Sequence, residues 1–193
     1  MHLRDPATRP PEFRRNLRSI GEILGYEIAR GMPTVRRNIT VALGGPQFMD
    51  VLEQEPALIY VERAGRELYF GLQEAFQSAE SGVIGASRDE ETLKSTIGYA
   101  ALPRIEGKEV IVADTMIATG GSMMQALDLV KEHDPKKIHV VGAIASRHAM
   151  RVLYDYDRDV QIHVAAIDPE LDRNGFIRPG LGDAGDRCYG IKQ

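Results

Sequence analysis

Apolar and polar positions follow two different periods along this chain, and the switches between them mark its elements. From Pro11 the spacing is helical: Phe13, Leu17, Ile20, Leu24 and Ile28 share one face, Pro11 suits a first turn, and Gly31 with Pro33 predicts the end. Gly21 and Gly25 weaken this helix, so packing rather than propensity is expected to hold it. Residues 34–43 (TVRRNITVAL) alternate weakly before a Gly44-Gly45-Pro46 turn, and Arg36 and Arg37 make them an edge strand or arm, with a solvated hairpin as the commoner alternative. The first buried strand is predicted over 58–62 (LIYVE), followed by the basic turn 63–66 and a helix carrying Leu68, Leu72, Ala75 and Phe76. A strand over 83–86 leads to the charged segment Ser87 to Thr92, which has the character of a mobile loop, and a short strand over 97–102 follows. Val110, Ile111 and Val112 then read as a strand buried on both faces. Asp114 to Ser122 reads as a polar, Gly-rich turn, and Met123, Ala126, Leu127, Leu129 and Val130 predict the helix behind it. A strand over 139–145, a helix over 148–156 and a strand over 161–167 complete the alternation.

That alternation, with short turns, predicts an α/β fold: a central, mainly parallel sheet flanked by helices, with a small N-terminal helix and β-arm. The stretch 174–187 holds four glycines and a proline and predicts an irregular loop, a hood over the C-terminal end. Residues 1–10 are polar and Pro-rich and predict an arm or an irregular lead.

Length and charge narrow the picture. With 193 residues there is room for one sizeable α/β core, so residues 1–193 are expected to form a single domain. The net charge of −4 supplies no global cationic field toward nucleic acid or membrane, and no partner of either kind is expected. Cys188 is the only cysteine, which excludes an internal disulfide and makes a cysteine-rich zinc site implausible. The five histidines lack metal-ligand spacing, so no protein-held metal is expected. No apolar run approaches the ~18 residues of a membrane span, and MHLRDPATRPPEFRR lacks the apolar centre of a signal peptide, so the expected compartment is the cytoplasm.

The chemistry concentrates in 109–122 (EVIVADTMIATGGS). A strand, a Gly-rich loop and a helix form an anion cradle, because glycines let backbone N–H groups turn inward and the helix N-terminus adds about half a positive charge. Thr119 and Ser122 add hydroxyl donors, and Asp114 can accept from a sugar hydroxyl. No GK[ST] ending and no G-x-G-x-x-G is present, so neither a Walker A loop nor a dinucleotide fingerprint applies. An ordinary βα turn rich in Gly and Thr is the bland alternative. The C-terminal stretch offers exposed backbone N–H and C=O groups to a flat polar ligand.

The loops RAG, SRDEET, DTMIATGGS and IRPGLGDAGDR, in that order, resemble those of uracil phosphoribosyltransferases, within the type I phosphoribosyltransferases. The lead LRDPAT and the helix FRRNLRSIGEILGYEIA match the family's opening, and PGLGDAGDR is the most specific element. The resemblance implies transfer of phosphoribosyl from 5-phosphoribosyl-1-diphosphate to uracil, giving UMP and pyrophosphate, with Mg²⁺ bound through the diphosphate. Arg63 and Arg88 would contact the diphosphate. Asp114, Thr115, Met116, Ile117, Ala118, Thr119, Gly120, Gly121 and Ser122 would hold the ribose and 5′-phosphate. Ile177, Gly182, Asp183 and Ala184 would meet uracil mainly through the main chain, with Asp183 also facing the donor. Arg63, Arg88, Asp114 and Asp183 are the implied catalytic set. A homodimer joined through the 34–43 arm, or a higher homo-oligomer, is expected from the same source. The resemblance also carries an association with GTP binding, although no allosteric nucleotide site is legible in these residues.

Two positions depart from the family pattern. Glu62 stands where an apolar residue is usual before the arginine, with Arg66 placed to offset it, and Thr115 stands where proline is usual. Less chain precedes LRDPAT than the family usually has. Glu62 favours an alternative reading, a phosphoribosyl-diphosphate sensor or regulator with little or no turnover, whereas the PGLGDAGDR tail favours the enzyme. An RNA-binding regulator lacks a basic stripe and stacking aromatics. A transferase for a modified pyrimidine stays open.

Overall fold

The computed structural model describes residues 2–88 and 95–191; the side chains of Ser87, Arg88 and Ser95 also lie outside the described set. Helix α1 (Pro10–Ala29) buries Phe13, Leu17 and Ile28, as its spacing predicts, and adds Gly21 and Gly25 to the buried stripe. Those glycines serve close packing. A Cβ at Gly21 would lie 2.1 Å from the Leu68 carbonyl oxygen on α2 (Gly65–Ala75), and one at Gly71 of α2 would lie 1.9 Å from that of Arg18.

β1 (Thr34–Val41) and β2 (Gly45–Leu52) form a separate antiparallel hairpin, paired from Thr34↔Leu52 to Val41↔Gly45. The remaining strands are β3 (Ala57–Glu62), β4 (Ser81–Arg88), β5 (Ser95–Ala101), β6 (Glu109–Ile117), β7 (Lys137–Ser146), β8 (Gln161–Val164) and β9 (Ile167–Asp168). They form one sheet in the order β5-β4-β3-β6-β7-β8, with β9 also pairing β7. All neighbours are parallel except β4 and β5. The predicted strand over 161–167 is therefore two short ones, because the chain leaves the ladder at Ala165 and Ala166.

Helices cover both faces. Ile111, Ala113, Val141 and Ala143 pack with α1 and α2, whereas Val110, Val112, Ile138 and Val140 pack with α3 (Gly121–Lys131) and α4 (Arg147–Tyr156). This alternation along β6 and β7 is what a strand covered on both sides requires. Among the described residues, no helix is long and apolar enough to cross a membrane.

One expectation fails in part at the C-terminal end. The stretch 174–187 is not wholly irregular: β10 (Glu170–Leu171) pairs β11 (Ile177–Arg178), and α5 (Ala184–Tyr189) starts within the stretch. Asp183 makes the helix possible by accepting the Asp186 N–H at 2.9 Å as its N-cap. The N-terminal lead is fastened to this end. Arg4, in a single 3₁₀ turn (His2–Arg4), donates to both Asp168 carboxylate oxygens at 2.6 and 2.8 Å, and Asp168 accepts the Gly180 N–H at 2.8 Å. Arg187 donates to the Leu3 and Asp5 carbonyls and to that of Leu181 and lies over the Phe13 ring at 4.2 Å. Both ends of the chain thus close over α1, and Ile177, Leu181, Ala184 and Cys188 join its core.

Candidate active site

The chain runs outward from β3 through β4 to β5, then returns to β6 and runs the other way through β7 to β8. The topological switch point lies between β3 and β6, where open α/β sheets bind ligands at the carboxyl ends of their strands. The β3–β6 ladder stops at Tyr60↔Ala113, whereas β6 stays paired with β7 as far as Ile117↔Ala145. A crevice opens where β3 and β6 part.

The β6 wall carries the predicted anion loop, with one difference in local form: Asp114 to Ile117 are strand, not turn, because the β7 ladder continues beneath them. Asp114, Met116, Ile117, Ala118, Thr119, Gly120, Ser122 and Met123 line a hollow of about 70 Å³. Gly120 caps α3 at φ 86°, a left-handed conformation that turns the loop into the helix. The Gly121 N–H points to Thr119 Oγ1 at 3.4 Å. Burial pushes the Asp114 carboxyl up to about 7, against the opposing pull of the Met116 and Thr115 backbone N–H groups. Thr115 departs from its expected role: it is fully buried, and its hydroxyl donates to the Ala64 carbonyl at 2.8 Å, away from the hollow.

On the β3 wall, Arg63 donates to Asp186 at 2.9 Å, and a Cβ at Gly185 would lie 3.0 Å from its guanidinium. The loop after β3 therefore meets the first turn of α5, and Arg63 stands beside Asp183 and Ala184. Ile177 and Ala184 are buried in the α1–α2 core, so their side chains anchor the tail and leave its backbone for contact. Gly182 is exposed at φ 78°. The peptides Glu62–Arg63 and Arg178–Pro179 are cis. Arg66 donates to Glu62 at 2.7 Å, so the unusual carboxylate has its own cation. The Arg88 side chain and residues Asp89 to Thr92 lie outside the described residues.

Four contributors escaped sequence reasoning. Asp186 lies inside the quoted tail, but nothing local links it to a residue 123 positions away. Ser146 donates to the Ala118 carbonyl at 2.5 Å and caps α4 by accepting the Ala149 N–H at 2.8 Å. A serine ahead of a helical pattern was a readable cap, although its hold on the anion loop was not. Arg4 and Asp168 support the tail from outside any motif. Among the described residues, no group of three or more His, Cys, Asp or Glu side chains is placed to hold a metal ion.

Known proteins resemble this chain over nearly its whole length. A family model described as uracil phosphoribosyltransferase matches residues 1–191. The uracil phosphoribosyltransferase of Dictyoglomus turgidum is 39% identical over 191 residues, covering 98% of this chain and 92% of its relative. That of Clostridioides difficile is 37% identical over 191 residues, covering 98% and 91%. Among solved structures, the AQ2163 protein from Aquifex aeolicus superposes with a TM-score of 0.93 at 32% identity, covering 98% of this chain and 91% of that one. A hypoxanthine-guanine phosphoribosyltransferase from Bacillus anthracis shares the fold, with a TM-score of 0.55 at 17% identity over 82% of this chain and 80% of its own.

Proposed function

This chain belongs to the uracil phosphoribosyltransferase family, and from that membership we propose how its residues transfer phosphoribosyl from 5-phosphoribosyl-1-diphosphate to uracil. The products are UMP and pyrophosphate. The observation that carries the site assignment is the meeting, at one switch-point crevice, of the Asp114–Ser122 hollow, Arg63 and the Asp183–Asp186 turn.

The 5′-phosphate sits in the loop before α3, held by the N–H groups that Gly120 and Gly121 allow to converge and by the positive end of the helix dipole. Asp114 accepts from the ribose hydroxyls. Arg63, with Arg88 from the end of β4, takes the diphosphate. Mg²⁺ fits here as an ion held through the diphosphate oxygens, because Arg63 and the loop N–H groups are built for the anion; bound there, it would neutralise charge on the leaving group. As uracil attacks the anomeric carbon, the sugar becomes oxocarbenium-like and negative charge grows on the departing diphosphate, where Arg63 stabilises it. The tail reads uracil through backbone groups of Ile177 and Gly182 to Ala184. A cytosine in that place would leave a donor or acceptor buried and unpaired, at roughly 1–3 kcal/mol.

The chain acts as a single domain in the cytoplasm and pairs with a second copy. Support for the pairing comes from the β1–β2 hairpin, which stands apart from the main sheet and exposes Val35, Ile39, Phe48 and Met49. The sensor reading rests on Glu62, and the Arg66 ion pair offsets that charge.

The deciding experiment is UMP formation from uracil and phosphoribosyl diphosphate with Mg²⁺, with cytosine as the control base. Turnover with uracil alone supports the transferase. Donor binding without turnover sinks it in favour of the sensor.

A further inference from the structure

The two walls of the crevice carry different donor ligands, Arg63 on the β3 side and Asp114 on the β6 side, and no ladder joins the strands beyond Tyr60↔Ala113. Their relative position must then be set by other contacts. One is steric. The Gly65 backbone lies so close to β6 that an added Cβ would be 2.7 Å from the Ala113 carbonyl oxygen. This contact sets the base of the crevice but resists only approach, not separation or sliding.

The other is Thr115. Its side chain is fully buried, and its hydroxyl donates across the parting strands to the Ala64 carbonyl at 2.8 Å. Ala64 immediately follows Arg63, and its carbonyl also accepts the Glu67 N–H, at the longer distance of 3.3 Å. A buried hydroxyl facing a loop carbonyl has no route to the substrate, but it is well placed to hold the loop. Because the bond is directional, it fixes the carbonyl to one point, which apolar packing of the same volume does not.

We infer that Thr115 is a positioning residue: through the Ala64 carbonyl it fixes Arg63 relative to Asp114, and so sets the affinity for the phosphoribosyl donor. The inference rests on the reading of Arg63 and Asp114 as donor ligands. It assigns Thr115 a role other than substrate contact.

Valine at 115 keeps the β-branch and volume that the strand needs and removes only the donor; serine keeps the donor. The test is initial-rate kinetics for the wild type, Thr115→Val and Thr115→Ser, with donor and uracil varied separately, and calorimetric titration of phosphoribosyl diphosphate without uracil. Thr115→Val is expected to raise the donor KM and weaken donor binding about tenfold, leave the uracil KM within about twofold, and be rescued to within about threefold by Thr115→Ser. Unchanged donor affinity in Thr115→Val overturns the inference, as does an equal loss for both substrates that serine does not restore. If the wild type binds donor but forms no UMP, the transferase reading fails, and the calorimetric comparison still decides the role of Thr115.

Discussion

Arg63 and Asp186 stand 2.9 Å apart across 123 positions of sequence, joining the loop after β3 to the first turn of α5. Each side chain is about one third exposed, so the pair is worth little to stability, on the order of 0.2–1 kcal/mol. Its interest is functional, because the same guanidinium is the proposed ligand of the leaving diphosphate. Arg63→Ala is expected to lower kcat/KM about 100-fold while the thermal midpoint moves by no more than about 3 °C. Steady-state rates beside a melting curve check this; a large loss of midpoint with modest loss of rate would make Arg63 structural.

Asp114 gives a pH signature. Burial pushes its carboxyl up to about 7, and the carboxylate is the better acceptor for the ribose hydroxyls proposed to bind there. Ionisation then rises from about a tenth at pH 6 to about nine tenths at pH 8, so the donor KM should fall about tenfold over that interval. Asp114→Asn should be weaker throughout and flat. A wild-type KM that does not move between pH 6 and 8 counts against this assignment.

The α1–α2 contact depends on three glycines, Gly21, Gly25 and Gly71. An added Cβ at Gly71 would also lie 2.7 Å from the Glu22 backbone nitrogen, and both obstacles are backbone that cannot turn aside. Gly71→Ala should destabilise the protein by about 1–3 kcal/mol. Gly98→Ala, at a position with open space around it, should leave the thermal midpoint nearly unchanged. Equal midpoints for the two variants would contradict the packing argument.

Away from the crevice, Glu109, His139 and His163 form a chain of contacts across the neighbouring strands β6, β7 and β8. His139 Nε2 lies 2.9 Å from the Glu109 carboxylate, and its Nδ1 lies 3.1 Å from His163 Nε2. With Glu109 ionised, neutral His139 donates from Nε2 and accepts at Nδ1, which makes His163 the donor between the rings. Burial lowers both histidines below their ordinary value; Glu109 opposes this for His139, and the neighbouring ring adds to it for His163. The unfolded chain therefore binds more protons than the folded one below about pH 6.5, and this contribution to stability fades as the pH falls through that range. His163→Gln should lessen the decline, read as the difference in denaturant midpoint from the wild type between pH 5.5 and 7.5. A difference independent of pH would rule the pair out as its source.

Local periodicity carried most of the fold. Phe13, Leu17 and Ile28 gave α1 its face, and the β-branched runs located the buried strands. The glycines that weaken α1 on propensity were legible only as a weakness, because the helix they accommodate is 40 residues or more further on. Asp114 and Thr115 looked like a turn because they are polar, yet the ladder to β7 carries them as strand. Thr115 was legible as an unusual residue in the right loop but not as a bridge, since its partner belongs to a different strand's loop. The antiparallel course of β5 and the pairing of Arg63 with Asp186 depend on contacts between distant segments, which no local pattern encodes.

The bond from Arg4 to Asp168 closes a span of 164 positions. Loops that long form late, because the chain entropy they remove is recovered only once most of the fold exists to orient their ends. During refolding, the sheet and its helices should therefore appear before the tail is fastened, and the capacity to bind uracil should return after the helical signal has recovered. A chain caught in that interval would look native by its secondary structure and yet be unable to receive its base.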